Sequence, residues 1–312
     1  MSTNTQLNII AFPGAPNLPT FVALEQGFFA DAGLDVRLTT TPSSVFQFEK
    51  FGTGEFDIAF TAYDNVVAYS EGQGAAKLDP MPDFRVLMGA TQIGLSAVVA
   101  PDIAQATDLK GKTLALDAPS TGFAFVLYDL LAHLGLPRDA YEAVGVGATP
   151  ERWASVKAGT HAGTITIEPF TSLAKAAGFK VLTQSGDLFP TYQGGIIAGR
   201  KEWVEAHEQE TVAFLAAYLK GLRWTLDPAN REAAAELLGA KMPEVKPGVL
   251  GAVMDSVLSP KTGLTPDGDI LPDGMRAVLD LRSRYGRPQT TLTDIEKYLL
   301  LGPYQAALKQ LG

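Results

Sequence analysis

The sequence contains no cysteine. That one absence excludes disulfides, thiolate zinc sites, cysteine-ligated iron–sulfur clusters and cysteine nucleophiles. Histidine is scarce as well. His133, His161 and His207 lie far apart, with no HxxxH or HxH spacing between them, so a histidine-rich metal site is not expected. No apolar run approaches the roughly 18 residues needed to cross a bilayer. Lys and Arg number 25 against 34 Asp and Glu, for a net charge of −9, and they form no basic stripe. This argues against nucleic acid as a partner, because backbone phosphates are read by clustered cations. The first residues, Met1-Ser2-Thr3-Asn4-Thr5-Gln6, are polar and carry neither the basic nor the apolar region of a signal peptide. Either a leader has been removed or the protein is cytoplasmic.

What remains is an ordinary globular mixture, 46% hydrophobic and 19% charged over 312 residues. A chain of that length forms two lobes or one large α/β domain. Leu7 to Phe12 reads as a short apolar strand ended by Pro13-Gly14. Thr20 to Ala32 reads as one helix, with Phe21, Leu24, Phe28 and Phe29 at helical spacing and Gly33 as its stop. Strands follow at 35–41 and 56–60, with helices at 45–50 and 64–70. This βαβαβ rhythm implies a parallel sheet. Residues 85–100 are strand-rich and interrupted at Gly94. The α/β pattern then starts again with a strand at 112–116, a helix running to Leu134, a short helix at 153–158, a strand at 164–167 and a helix to Ala177. After short strands at 181–182 and 194–199, the chain is nearly all helix. The expected organisation is therefore α/β with two lobes. Residues 1–95 and 196–312 form lobe I, and 96–195 form lobe II, joined by extended crossovers near 90–97 and 191–197. Ligands of such open sheets bind outside the carboxyl ends of the strands, so the two lobes would face each other across one cleft.

Several segments resemble a broad solute-binding family. Ala23 to Phe29 followed by Gly33-Leu34-Asp35-Val36 resembles its A-x-x-x-G-F-F…G-L-x-V opening. Gly54 to Ala59 resembles its G-x-x-D-[IV]-[AG] strand, and Asp108 to Lys112 its DLKGK entry to the second lobe. Lys157-Ala158-Gly159 through Glu168-Pro169 resembles its G…D-A…E-P segment, with Thr164 or a neighbour standing where aspartate is usual. The family holds binders of thiamine-pyrimidine precursors, sulfonates, nitrate and taurine that serve ABC transporters, and the resemblance covers about 9–240. It implies a type II periplasmic-binding-protein fold and hinged closure on one small organic solute. It further implies the ABC transporter membrane subunits as partners, a monomer, no cofactor and a periplasmic location.

The candidate contacts lie in loops after strands and at helix starts. Phe12, Pro13 and Asn17 belong to the first such loop, whose backbone amides can face a ligand. Ser44 stands at the next helix start, where Ser43 and Ser44 are also ordinary caps. Thr61 and Tyr63 follow the third strand, beside Asp64, which reads as the cap of its own helix. Ser120, Thr121, Gly122 and Phe123 form the favoured site, an amide nest at a helix start suited to an anion. Glu168 stands at a strand end, and Gln92 and Tyr192 at the crossovers. No Arg or Lys falls in these loops, which points to a neutral or weakly charged aromatic ligand, or to an oxyanion held by amides alone. No catalytic residue is assigned. The rival reading is a cytoplasmic enzyme on the same fold, of thiamine-pyrimidine-synthesis or decarboxylase type, with His161 and Glu168 as acid and base. The fungal thiamine-pyrimidine synthases that the family resembles carry a cysteine-rich motif, which a chain without cysteine cannot supply. A sensory ligand-binding domain would need an attached signalling segment, and the sequence shows none.

Overall fold

Ten strands build two five-stranded sheets in a computed structural model that describes residues 4–312. The strands are β1 (Thr5–Ala11), β2 (Leu34–Thr40), β3 (Ile58–Ala62), β4 (Phe84–Thr91), β5 (Ser96–Val99), β6 (Thr113–Leu116), β7 (Glu142–Gly145), β8 (Gly163–Thr166), β9 (Lys180–Gln184) and β10 (Gly195–Arg200). The first sheet runs β2-β1-β3-β10-β4 and the second β7-β6-β8-β5-β9. Within the first sheet β1 is buried on both faces, and Ile9, Ile10 and Ala11 form the continuous apolar run such a strand requires. Its edge neighbour β2 alternates, burying Leu34 and Val36 and exposing Asp35 and Arg37.

The βαβαβ rhythm gives parallel pairing of β1 with β2 and β3, and of β6 with β7 and β8. The exceptions are β10, antiparallel to β3 and β4, and β5, antiparallel to β8 and β9. Both are strands by which the chain changes sheet. It passes from β4 to β5 through 92–95 and returns from β9 to β10 through 185–194. In each sheet the strand by which the chain leaves lies beside the one by which it returns, so these neighbours run antiparallel.

Two local expectations are corrected. The single helix over 20–32 is two, Leu18–Glu25 and Phe28–Asp31, because Gly27 takes a left-handed conformation (φ 75°) and ends the first. The helix expected at 153–158 begins at Thr149, with a proline in its first turn. Strand β7 carried no clear signal in the sequence, its four residues showing neither alternation nor an apolar run.

Apolar packing spans the two sheets. One core joins Phe48, Phe51, Tyr69 and Phe84 of the first lobe to Leu114, Leu116, Phe125 and Ile165 of the second. A second core lies behind the first sheet, where the helix Glu208–Leu226 packs on Leu18–Glu25 and stacks Phe214 on Phe29 at 5.2 Å. The helix Pro272–Tyr285 touches both Tyr63–Ser70 and Gly122–His133, and so belongs to both lobes.

Candidate functional site

The carboxyl ends of β1, β3, β6 and β8 converge on a cleft with about 790 Å³ of empty space, part of it open solvent. Its walls are largely apolar, with Phe12, Phe60, Ile93, Phe123, Ile167 and Ile196 contributed by both lobes. Polar groups punctuate them. The Asn17 amide donates to the Phe12 carbonyl at 2.8 Å, and the Asn65 amide to the Thr61 hydroxyl at 2.9 Å. Both bonds hold wall residues in place at strand ends. Gly14 allows the first loop to approach Ile167 and Glu168, where an added Cβ would lie 3.1 Å from the Ile167 side chain.

The lobes are bonded to each other around this cleft. The Ser44 amide donates to both Asp117 oxygens, at 3.2 and 3.0 Å. The Ala148 amide donates to the Pro42 carbonyl at 2.8 Å, and the Ala15 amide to the Glu168 carbonyl at 3.2 Å. The deepest link runs from an ion pair within the first lobe to the second lobe's helix start. Arg282 donates through Nε and Nη2 to the two oxygens of Asp64, at 2.6 and 2.8 Å, and both side chains are almost wholly buried. Asp64 also accepts from the Gly122 amide at 2.7 Å, while Arg282 donates to the Ser120 carbonyl at 2.9 Å and to Gln73 at 3.1 Å.

The favoured anion nest is therefore partly filled from within. The helix start at Gly122 receives the carboxylate of Asp64, from the opposite lobe. This corrects the reading of Asp64 as the cap of its own helix, whose amides it does not bond. Gly122 is required there, because a Cβ would sit 2.2 Å from the Asp64 carboxyl carbon.

Of the residues singled out from sequence, Phe12, Asn17, Thr61, Thr121, Gly122 and Phe123 line the cleft. The others face elsewhere. Pro13 lies beside the wall residues without joining them. Ser44 is buried and meets the site only through its amide bond to Asp117. Tyr63 begins a helix rather than ending a strand, so its ring turns into the core, edge-on to Tyr298 at 6.0 Å. Tyr192 is buried against Phe189. The Gln92 amide is taken by the Pro260 carbonyl, and Ser120 is exposed. Glu168 accepts from the amide and hydroxyl of Ser172, as a cap would, and lines a smaller recess beside the main cleft. Burial raises its carboxyl above the usual range, against the Ser172 bonds. His161 pairs with Thr113 at the amino end of β6, whereas Glu168 follows the carboxyl end of β8. The strand between them keeps the proposed acid and base apart, so they do not form one catalytic site.

Two charged residues of the wall were missed, Arg152 and Asp117. The expectation that no cation serves the site is thus corrected. Arg152 reaches it from the helix Thr149–Lys157, donating to the carbonyls of Gly147 and Ile165 and to the Thr149 hydroxyl. Burial pushes its guanidinium down to about 10, with nearby Asp117 opposing. It remains charged at neutral pH. The signal available in the sequence was an arginine in the first turn of a helix facing strand ends.

Residues 2–239 match the model of the NMT1-like family. The chain belongs to the NMT1-like family. This member has the periplasmic-binding-protein fold. The periplasmic nitrate-binding protein NrtA of Synechocystis PCC 6803 superposes with a TM-score of 0.80 at 16% identity, covering 99% of this chain and 89% of that one. The zinc-bound ligand-binding component of an ABC-type import system from Staphylococcus aureus gives 0.77 at 14%, covering 97% and 99%. The MOPS-bound alkanesulfonate-binding protein SsuA of Xanthomonas axonopodis pv. citri gives 0.71 at 15%, covering 91% and 94%. No curated protein sequence matches this NMT1-like chain. Among its described residues no helix is long and apolar enough to cross a membrane.

Proposed function

We propose that this chain is the solute-binding component of an ABC importer, capturing one small organic molecule between its lobes and releasing it unchanged. The observation that carries this reading is the cleft itself. It is largely apolar, is punctuated by a few polar groups, and is walled by two lobes that connect only through short crossings and noncovalent contacts. Its contacts are Phe12, Asn17, Thr61, Thr121, Gly122 and Phe123, with Arg152 and Asp117 added. The hinged units are 1–95 with 196–312, and 96–195. The importer's membrane subunits are the partners, the periplasm is the site of action, and the chain works as a monomer. The likeness to importer components and the family membership support this reading.

Native mass spectrometry of freshly purified protein, followed by thermal-shift screening of small solutes, tests it. A retained or added solute that raises the melting temperature and is recovered intact is the expected result. Ligand at about a hundredfold its Kd stabilises by roughly 2.7 kcal/mol. Chemical conversion of a bound solute would overturn the reading in favour of an enzyme.

A further inference from the structure

Beside the main cleft lies a recess with about 290 Å³ of empty space, part of it open solvent, and Glu168 borders it. Apart from Ile167 and Glu168 itself, the lining comes from the first lobe, with Pro16, Thr91, Ser256 and Thr262 among its residues. Such a wall forms only where the lobes meet. The backbone belongs to the same seam, since the Ala15 amide donates to the Glu168 carbonyl at 3.2 Å. The carboxylate finds little there to answer its charge. Its partners are the amide and hydroxyl of Ser172, at 3.3 and 3.1 Å, on its own side of the seam. No cation lies within 4.0 Å of it among the described residues, and no other residue lining the recess is charged. Lys175, on the helix that follows, is exposed. The elements packed on that helix send their charges elsewhere. Asp255, Glu151, Lys157 and Lys180 are exposed, and Arg152 is held by the carbonyls of Gly147 and Ile165. Bringing the first lobe over Glu168 thus strips water from a carboxylate and sets no opposite charge in its place. Burial of that kind favours the neutral form, and it holds this carboxyl above the usual range.

We propose that Glu168 is a brake on closure, so that the lobes come together more readily once its carboxyl is protonated and capture strengthens in acid. The inference rests on the solute-capture reading and gives that site a regulation. The sign follows from proton uptake. The closed form holds the proton more tightly than the open form, so closing takes up protons. The cost of closing is full where the carboxyl is ionised in both forms. It fades as pH falls through the raised value and is gone below the ordinary glutamate value of about 4.3.

Hydrogen exchange of the solute-free full chain tests this, read amide by amide by NMR between about pH 7.5 and pH 5. The Ser44 and Ala148 amides donate across the seam, to Asp117 and to the Pro42 carbonyl. Their protection, corrected for the intrinsic pH dependence of exchange, reports the closed population. In the wild type it is expected to rise as pH falls, by up to about tenfold, while amides inside β1 stay unchanged. Glu168→Gln, neutral throughout, is expected to show the high protection at every pH. Ser172→Ala removes a bond that favours the ionised carboxylate, so it should move the wild-type rise to higher pH. It carries the test if Glu168→Gln does not fold. Small-angle scattering on the same series should show the radius of gyration shrinking with acid in the wild type and staying small in Glu168→Gln. Protection and radius that follow pH alike in wild type and Glu168→Gln, or that ignore pH in the wild type, overturn the inference. With Ser172→Ala alone, an unmoved rise does so. No solute takes part, so that result leaves solute capture standing. A protein that retains nothing and responds to no solute overturns capture instead.

Discussion

At the residue scale the Asp64–Arg282 pair shows how local reasoning and the folded chain part ways. Asp64 sits in the first turn of a helix, where an acidic residue ordinarily answers its own helix's amides. The fold instead turns it across the cleft, onto a helix start 58 residues later. A sequence window cannot show a bond between positions so distant, nor could it show the 218-residue separation of Asp64 and Arg282. The wall residues that were legible, Phe12, Thr61 and Thr121 among them, lie at the carboxyl ends of strands or at a helix start, where chain direction alone places them. Arg152 was not legible, because it sits on a helix and is set by the carbonyls of Gly147, in the loop after β7, and of Ile165 on β8. The buried pair also gives a stability test. Asp64→Asn leaves the Arg282 charge without its counter-ion, and the loss is expected to be about 3–5 kcal/mol in urea denaturation. A loss under about 1 kcal/mol would mean that the guanidinium finds another anion.

At the element scale the helix Pro272–Tyr285 carries local signals for its formation but none for its role. Its proline start and its apolar spacing are local signals. That it bridges the lobes follows from side chains on opposite faces. Arg282 turns toward Asp64, while Arg284 and Tyr285 reach Asp129 on the helix Gly122–His133 at 2.5 to 3.0 Å. Burial pulls the Asp129 carboxyl up, and the Arg284 and Tyr285 bonds outweigh it, leaving it below the usual carboxylate range. A lowered native value means that the ionised form is the one stabilised. The contribution is present above the unfolded value of about 3.9 and is lost as pH falls through the native value. A double-mutant cycle of Asp129→Asn and Arg284→Met is expected to give a coupling of about 0.5–1 kcal/mol at pH 7, since Arg284 is partly exposed. The coupling should fade below about pH 4. A coupling that persists in strong acid would assign the contact to packing.

At the scale of the whole molecule, the βαβαβ restart near residue 112 made two lobes visible from sequence, because each lobe obeys the same period rules. The antiparallel returns of β5 and β10 were not visible, since strand direction depends on where the chain comes back. One crossing also stores strain. Ile93, on the cleft wall between β4 and β5, has φ 53°, a conformation that a β-branched residue adopts only at a cost. With its lobes bonded together the chain should show a radius of gyration of about 20 Å by small-angle scattering. The ligand-free wild type is expected to be larger. Ile93→Gly, which relieves roughly 1–2 kcal/mol at that position, is expected to shift the ligand-free protein toward the smaller value. Identical profiles for both proteins would place the moving joint elsewhere.

The two crossings have a consequence for how such a chain can be assembled. Thr91, where the polypeptide leaves the first sheet, is paired in register with Gly195, where it re-enters. Ser96 and Gln184 are likewise partners in the second sheet. Viewed from the first sheet, everything between is a single hairpin loop of unusual size, with both ends seated on neighbouring antiparallel strands. Such a loop is a cassette. A two-residue turn suffices to close the gap it would leave, and a different lobe with similarly adjacent ends could be spliced into the same place, giving one frame many cargoes.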